Sequence, residues 1–163
     1  MSAAAPTLGL PPEIAGVQKA VDGLRQALGQ CLLAVVLFGS RARGEGQETS
    51  DWDLLVIARD LPAKTLARHL LLKNALPVDW RARVAILGKT PKEFEAALPS
   101  LYLDIALDGI LLYDPEGYAE LRLSRLRRLI ETRGLHREAD RRDLAWRWQQ
   151  FPGFNWSLEW EGA

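Results

Sequence analysis

Residues 32–58 have the sequence LLAVVLFGSRARGEGQETSDWDLLVIA, in which two short apolar runs enclose a polar loop. The runs Leu32–Phe38 and Trp52–Ala58 are rich in aliphatic residues, which is typical of β-strands covered on both faces. Residues 39–50 contain three glycines and four charged side chains. We therefore predict two buried strands joined by a loop with at most one helical turn.

The composition excludes several classes of protein. The chain has 163 residues, of which 48% are hydrophobic, so it can form a proper core and is not a disordered chain. Its 21 basic residues balance 21 acidic ones, and no overall field draws it to nucleic acid or a membrane. The single cysteine, Cys31, excludes an internal disulfide framework. Without an apolar span or a signal peptide, we expect a cytoplasmic protein.

The flanking sequence alternates between helical and strand patterns, which predicts an α/β (α+β) fold, a small mixed sheet flanked by helices. We place this sheet domain at residues 10–114 and a helical, Arg/Trp-rich C-terminal extension at residues 115–163. The predicted helices span 12–28, 62–75, 90–98, 100–107, 116–133 and 139–150, and further strands span 83–87 and 110–113. Thr90 and Glu93 match a capping box at the start of the third helix.

Asp51 and Asp53 lie two residues apart at the start of the second strand. Because side chains alternate along a strand, both carboxylates point the same way and repel each other unless a cation lies between them. Carboxylate oxygens at this spacing suit Mg²⁺, with substrate phosphates supplying the remaining ligands. A pair of this kind taken alone is more often a solvated turn.

Gly39 and Ser40 follow the first strand directly. Glycine lets a backbone N–H approach a phosphate closely, and serine adds a hydroxyl donor. Arg41 and Arg43 are candidates for bidentate contacts to a polyphosphate. Each signal is weak alone, but a phosphate-binding turn and a metal-binding pair, each attached to its own strand, form a specific combination.

That combination resembles the nucleotidyltransferase superfamily that includes DNA polymerase beta, and within it the minimal nucleotidyltransferase (MNT) branch. The family signature is Gly-Ser, about ten residues, and Asp-x-Asp, which Gly39-Ser40, residues 41–50 and Asp51-Trp52-Asp53 fill completely. Two later stretches, 90–95 and 108–113, are also similar. The resemblance covers roughly residues 12–114.

The resemblance implies a mechanism and a set of ligands. Asp51 and Asp53 would hold two Mg²⁺ ions on the triphosphate of ATP or another NTP, and a hydroxyl acceptor would receive the nucleoside monophosphate. The family normally adds a third carboxylate from a later strand, for which Asp79 is the best candidate. The strand at 83–87 carries no acid, however, so an Asp79 in the loop before it would leave nucleotide binding without efficient catalysis.

The resemblance also implies partners. Minimal nucleotidyltransferases often act beside a HEPN-family toxin as its antitoxin, so a HEPN-type protein is one expected acceptor. Two alternatives remain open: a catalytically weak nucleotide-binding module that acts by partner contact, and an RNA-binding protein that uses the arginines of residues 122–147. Four C-terminal tryptophans are expected to fold back onto the sheet domain rather than form an exposed partner surface. They are Trp146, Trp148, Trp156 and Trp160.

Overall fold

The computed structural model describes residues 11–140, 143–149 and 160. At its centre is a four-stranded sheet in the order β3-β2-β1-β4. Strand β1 pairs antiparallel with β2 and β4, whereas β2 pairs parallel with β3. The strands are β1 (Leu32–Phe38), β2 (Trp52–Ala58), β3 (Val84–Lys89) and β4 (Ile110–Tyr113). The predicted mixed sheet is confirmed.

Helices cover both faces of this sheet. They are α1 (Pro12–Ala15), α2 (Gln18–Leu28), α3 (Gly39–Ala42), α4 (Thr65–Ala75), α5 (Pro91–Ala96), α6 (Ser100–Asp108) and α7 (Tyr118–Thr132). The predicted first helix is divided at Gly16, and a helical turn at Val78–Trp80 precedes β3. Among the residues that the structure describes, no helix has the length and apolar character to cross a bilayer.

The core has two halves, one on each face of the sheet. On one face α2 and α4 pack against alternate residues of β1 and β2, and on the other α5, α6 and α7 pack against the residues between them. Val35, Val36, Leu54 and Leu55 are completely buried. This two-sided burial explains why both strands are continuous apolar runs rather than alternating ones.

The capping box predicted at α5 is confirmed and tied to a neighbouring helix. The Glu93 backbone N–H donates to the Thr90 hydroxyl oxygen, and the Glu93 carboxylate accepts from the Thr90 N–H. Arg68 of α4 donates two hydrogen bonds to the same carboxylate, at 2.7 and 2.8 Å. These bonds from Arg68, together with the one from Thr90, lower the pKa of Glu93 to about 2.

The helix predicted over residues 139–150 is wrong. The chain forms an antiparallel hairpin instead, with β5 (Leu135–Asp140) paired to β6 (Asp143–Trp148). Leu144, Trp146 and Trp148 alternate with less apolar residues, and this period of two is the spacing of a strand with one face on the core. The C-terminal region therefore combines helix α7 with a hairpin, and the domain boundary near residue 114 stays a prediction.

Three of the four C-terminal tryptophans fold back as expected. Trp146 and Trp148 are half-buried against the core half formed by α5, α6 and α7. The Trp160 ring packs 5.2 Å from the Phe94 ring, and its indole N–H donates to the backbone carbonyls of Phe94 and Ala97. Trp156 lies outside the described residues.

Glu93→Gln is expected to destabilise the fold more at neutral pH than at pH 3. A folded-state pKa below the ordinary value of 4.5 contributes stability above pH 4.5, and this stability is lost as the pH falls towards 2. Because Glu93 is 41% exposed, the effect at pH 7 should be about 1 kcal/mol or less. Urea unfolding followed by tryptophan fluorescence at pH 7 and pH 3 measures it. The exposed Glu116→Gln is the control, and an equal loss in both variants would contradict the assignment.

Candidate functional site

The polar residues singled out by the sequence meet at one edge of the sheet. Helix α3 begins at Gly39, immediately after β1 ends, and Asp53 is the second residue of β2. Because β1 and β2 are antiparallel, the end of one lies beside the start of the other, and Phe38 pairs with Asp53. Two segments separated by ten residues in the loop are thereby brought into contact.

Gly39 lies directly against the Asp53 carboxylate. A Cβ atom at Gly39 would lie 2.3 Å from Oδ2 of Asp53, closer than any real contact. The Gly39 φ angle of 76° is in the left-handed region, which glycine adopts without the cost that a side chain imposes. The glycine is therefore required twice over, by the turn and by the carboxylate beside it.

The two carboxylates repel each other. Asp53 is half-buried and Asp51 is exposed. Burial raises the pKa of Asp53, the nearby Asp51 charge raises it further, and Arg43 lowers it. Negative charge is thus concentrated here without full compensation from the protein, and such a place favours a bound cation.

Arg41 holds the loop rather than facing the carboxylates. Its guanidinium donates to the backbone carbonyls of Gln47 and Ser50, both at 2.8 Å, and lies 4.3 Å from the centre of the Trp52 ring. These contacts join α3 to the residues just before Asp51. In this structure the Arg41 guanidinium is engaged by the protein's own backbone, and its predicted role as a phosphate ligand stays a prediction.

Arg43 interacts electrostatically with Asp53 and contacts two other acids. Its Nε donates to Glu45 at 3.0 Å, and Nη1 lies 3.9 Å from Oδ2 of Asp108, the last residue of α6. The Arg43 side chain is 22% exposed. Arg43 therefore contacts Glu45 and Asp108 and still lowers the pKa of Asp53.

Asp79 lies in a different element from the pair, and its role as a third carboxylate stays a prediction. It is exposed and lies in the helical turn before β3. The residue of β3 in register with Asp53 is Ala85, and residues at matching positions of parallel strands share a face of the sheet. Within residues 11–140, 143–149 and 160, no group of three His, Cys, Asp or Glu side chains is placed to hold a metal ion.

The pair nevertheless fits a divalent cation that arrives with a phosphate substrate. Mg²⁺ keeps most of its ligands as water or phosphate oxygens and needs only one or two protein carboxylates. A cation bound between the two carboxylates would relieve the repulsion that raises the pKa of Asp53. Asp51 and Asp53 are the residues that would hold it.

Residues 27–116, more than half of the chain, match the family model described as polymerase beta, nucleotidyltransferase. The chain belongs to the polymerase beta-like nucleotidyltransferase family. The match covers all four strands of the main sheet and the whole Gly-Ser to Asp-x-Asp segment. Helix α7 and the hairpin lie beyond it.

A curated relative supports the same assignment. A Methanocaldococcus jannaschii protein, provisionally named a protein adenylyltransferase, is 32% identical over 111 residues, which are 66% of this chain and 76% of the relative. This nucleotidyltransferase family member therefore shares most of its length with a protein named for transfer of AMP to protein.

Solved structures share the fold. A toxin–antitoxin complex with AMP-PNP aligns with a TM-score of 0.52 at 20% identity, covering 71% of this chain and 87% of that one. A second toxin–antitoxin structure, of the mutant MntA-HpeT complex, aligns with a TM-score of 0.50 at 17% identity, again over 71% and 87%. At these identities the likeness establishes the nucleotidyltransferase fold.

Sequence reasoning missed two neighbours of the site. Ala85 is distinguished only by its register with Asp53, and Asp108 only by its approach to Arg43. The lack of an acid in the third strand already indicated that an uncharged residue such as Ala85 would lie beside Asp53. Nothing in the spacing of Asp108, more than fifty residues from Asp53, pointed to the second.

Gly39→Ala is expected to displace Asp53, whereas Gly44→Ala is not. Both glycines have left-handed φ angles, 76° and 74°, so both substitutions carry a similar backbone penalty of roughly 1–2 kcal/mol. Only at Gly39 does the added methyl meet a carboxylate, since nothing lies within 4 Å of a Cβ at Gly44. Urea unfolding and Mn²⁺ titration should both show the larger loss for Gly39→Ala. Equal losses would contradict the close Gly39–Asp53 contact.

Proposed function

We propose that this nucleotidyltransferase family member transfers AMP from Mg²⁺-bound ATP to a hydroxyl group of a partner protein. The observation that carries the proposal is the packing of Gly39 against the Asp53 carboxylate. This packing places a turn that can bind phosphates beside a pair of acids that can bind the metal ion of the phosphates. The family match and the adenylyltransferase relative support the same class of reaction.

Each residue of the site has a distinct part in this proposal. Gly39 and Ser40 bind the phosphates through backbone and hydroxyl donors, and Asp51 and Asp53 hold the ions on the triphosphate. Two Mg²⁺ ions held by Asp51 and Asp53 would supply positive charge to offset the negative charge of the phosphates. Arg43 supplies positive charge beside the carboxylates, and Arg41 keeps the loop in place.

The transfer itself is a substitution at phosphorus. The acceptor hydroxyl oxygen forms a bond to the α-phosphorus as the bond from that phosphorus to the bridging oxygen breaks. AMP is joined to the acceptor, pyrophosphate leaves, and the hydroxyl proton passes to solvent. The protein contributes mainly by positioning and by charge neutralisation.

A protein acceptor is favoured by the relative's name, which refers to protein adenylylation. Within that class we propose a HEPN-type toxin, with this chain as its antitoxin. The choice rests on the resemblance to minimal nucleotidyltransferases. The reaction would add a negatively charged nucleotide to the toxin and so change its surface by the usual rules of charge-altering modification.

A second function, nucleotide binding with weak catalysis, is favoured by one observation. Ala85 occupies the position of β3 beside Asp53, and Asp79 lies in the preceding turn. A site with two carboxylates holds a nucleotide and its ion but has fewer ligands for a second ion. The chain would then neutralise a partner by contact rather than by modification.

Isothermal titration of ATP with and without Mg²⁺ tests the nucleotide site. Wild type should bind ATP only when Mg²⁺ is present, and Asp51→Asn/Asp53→Asn should lose that binding because both metal-binding charges are removed. Asp79→Asn, a change of the same kind at an exposed turn, should bind like wild type. Binding that persists in the Asp51→Asn/Asp53→Asn variant would contradict the proposed metal-binding role of the pair. A loss of binding in Asp79→Asn would show that Asp79 belongs to the nucleotide site.

Ala85→Asp is expected to strengthen the metal site. The new carboxylate would lie in register with Asp53 on the same face of the sheet, so Mn²⁺ affinity should rise by about tenfold. Ala85→Asn has nearly the same size and no charge, and it serves as the matched control. Mn²⁺ binding followed by electron paramagnetic resonance measures the change. A gain in both variants, or in neither, would contradict the predicted position.

A further inference from the structure

A chain of alternating charges runs from the C-terminal hairpin to the candidate site. Arg137 of β5 donates two hydrogen bonds to the Asp108 carboxylate, one of them to Oδ1 at 2.9 Å, and one to Asp104 at 3.2 Å. Arg137 and Asp108 are mostly buried, with 18% and 14% of their side chains exposed. Asp108 in turn lies 3.9 Å from Arg43, which interacts electrostatically with Asp53.

The hairpin is anchored where this chain of charges begins. Trp146 of β6 pairs with Arg137 across the hairpin, and its indole N–H donates to Asp104 at 3.0 Å. Both strands therefore contact helix α6, which ends beside α3. These residues are brought together across about thirty to forty positions of sequence, and the hairpin lies beyond the family match.

The geometry decides how the charges are shared. Arg137 donates to both oxygens of the Asp108 carboxylate and neutralises its charge. Arg43 lies 3.9 Å from Asp108, beyond hydrogen-bond distance. If Arg137 were absent, Asp108 would carry an unpaired charge in a mostly buried position and would draw Arg43 towards itself. Arg43 would then offset Asp53 less, and the site would become more negative.

We propose that Arg137 is a positioning residue for the nucleotide site, acting through Asp108 to keep Arg43 available to the triphosphate. The inference rests on the proposed function and deepens it. It makes the C-terminal hairpin, which lies outside the residues matched by the family model, a working part of the site. The ligand it serves is a polyanion, the triphosphate of ATP.

The proposal predicts effects of opposite sign on two ligands. In the full chain, Arg137→Ala should weaken ATP binding in the presence of Mg²⁺ by about fivefold or more, because the site loses available positive charge. The same variant should bind Mn²⁺ alone more tightly, since the site becomes more negative. Isothermal titration measures the first affinity and electron paramagnetic resonance the second. A hairpin that merely lost packing would weaken both or neither.

Two further variants separate position from packing. Asp108→Asn/Arg137→Ala removes the unpaired acid together with its partner, so ATP affinity should return close to the wild-type value. Arg147→Ala, on the same hairpin and paired with the exposed Glu138, should leave both affinities unchanged. An equal ATP loss in Arg137→Ala and the double variant, or no loss in either, overturns the proposal. If wild type binds no ATP, the proposed function fails, and the Mn²⁺ comparison alone decides the role of Arg137.

Discussion

The antiparallel pairing of β1 with β2 is the constraint on which the site depends. It places the end of one strand beside the start of the other, so that Gly39 meets the carboxylate of Asp53. Both strands are buried on two faces, and a one-residue slip in their register would move every core side chain to the opposite face. The packing that stabilises the fold therefore also sets the position of the turn against the acid.

The negative charges of the acids at this edge of the sheet are only partly offset by nearby basic side chains. Burial and the nearby Asp51 charge raise the pKa of Asp53, and Arg43 offsets only part of that rise. A protein that needed stability alone would pair these charges fully or place apolar side chains there. The residual negative charge is better understood as a binding feature, which a cation and its triphosphate would complete.

The C-terminal region supplies contacts that the family match does not include. Trp160 packs against Phe94 on one side of the second core half, and Arg137 reaches α6 on the other. Because the last residue of α6 approaches Arg43, a change in the hairpin is connected to the site through ionic contacts rather than through the sheet.

The sequence by itself determined the strands β1 and β2, the capping box at α5 and the Gly-Ser to Asp-x-Asp segment, because these depend on local periodicity and spacing. It misassigned residues 143–148, whose short period of two became decisive only through the core contact of Trp146 and Trp148. Tertiary structure alone decided that Ala85 lies beside Asp53 and that Arg137 meets Asp108. Strand register and contacts between distant segments follow from how the layers pack, and no local pattern records them.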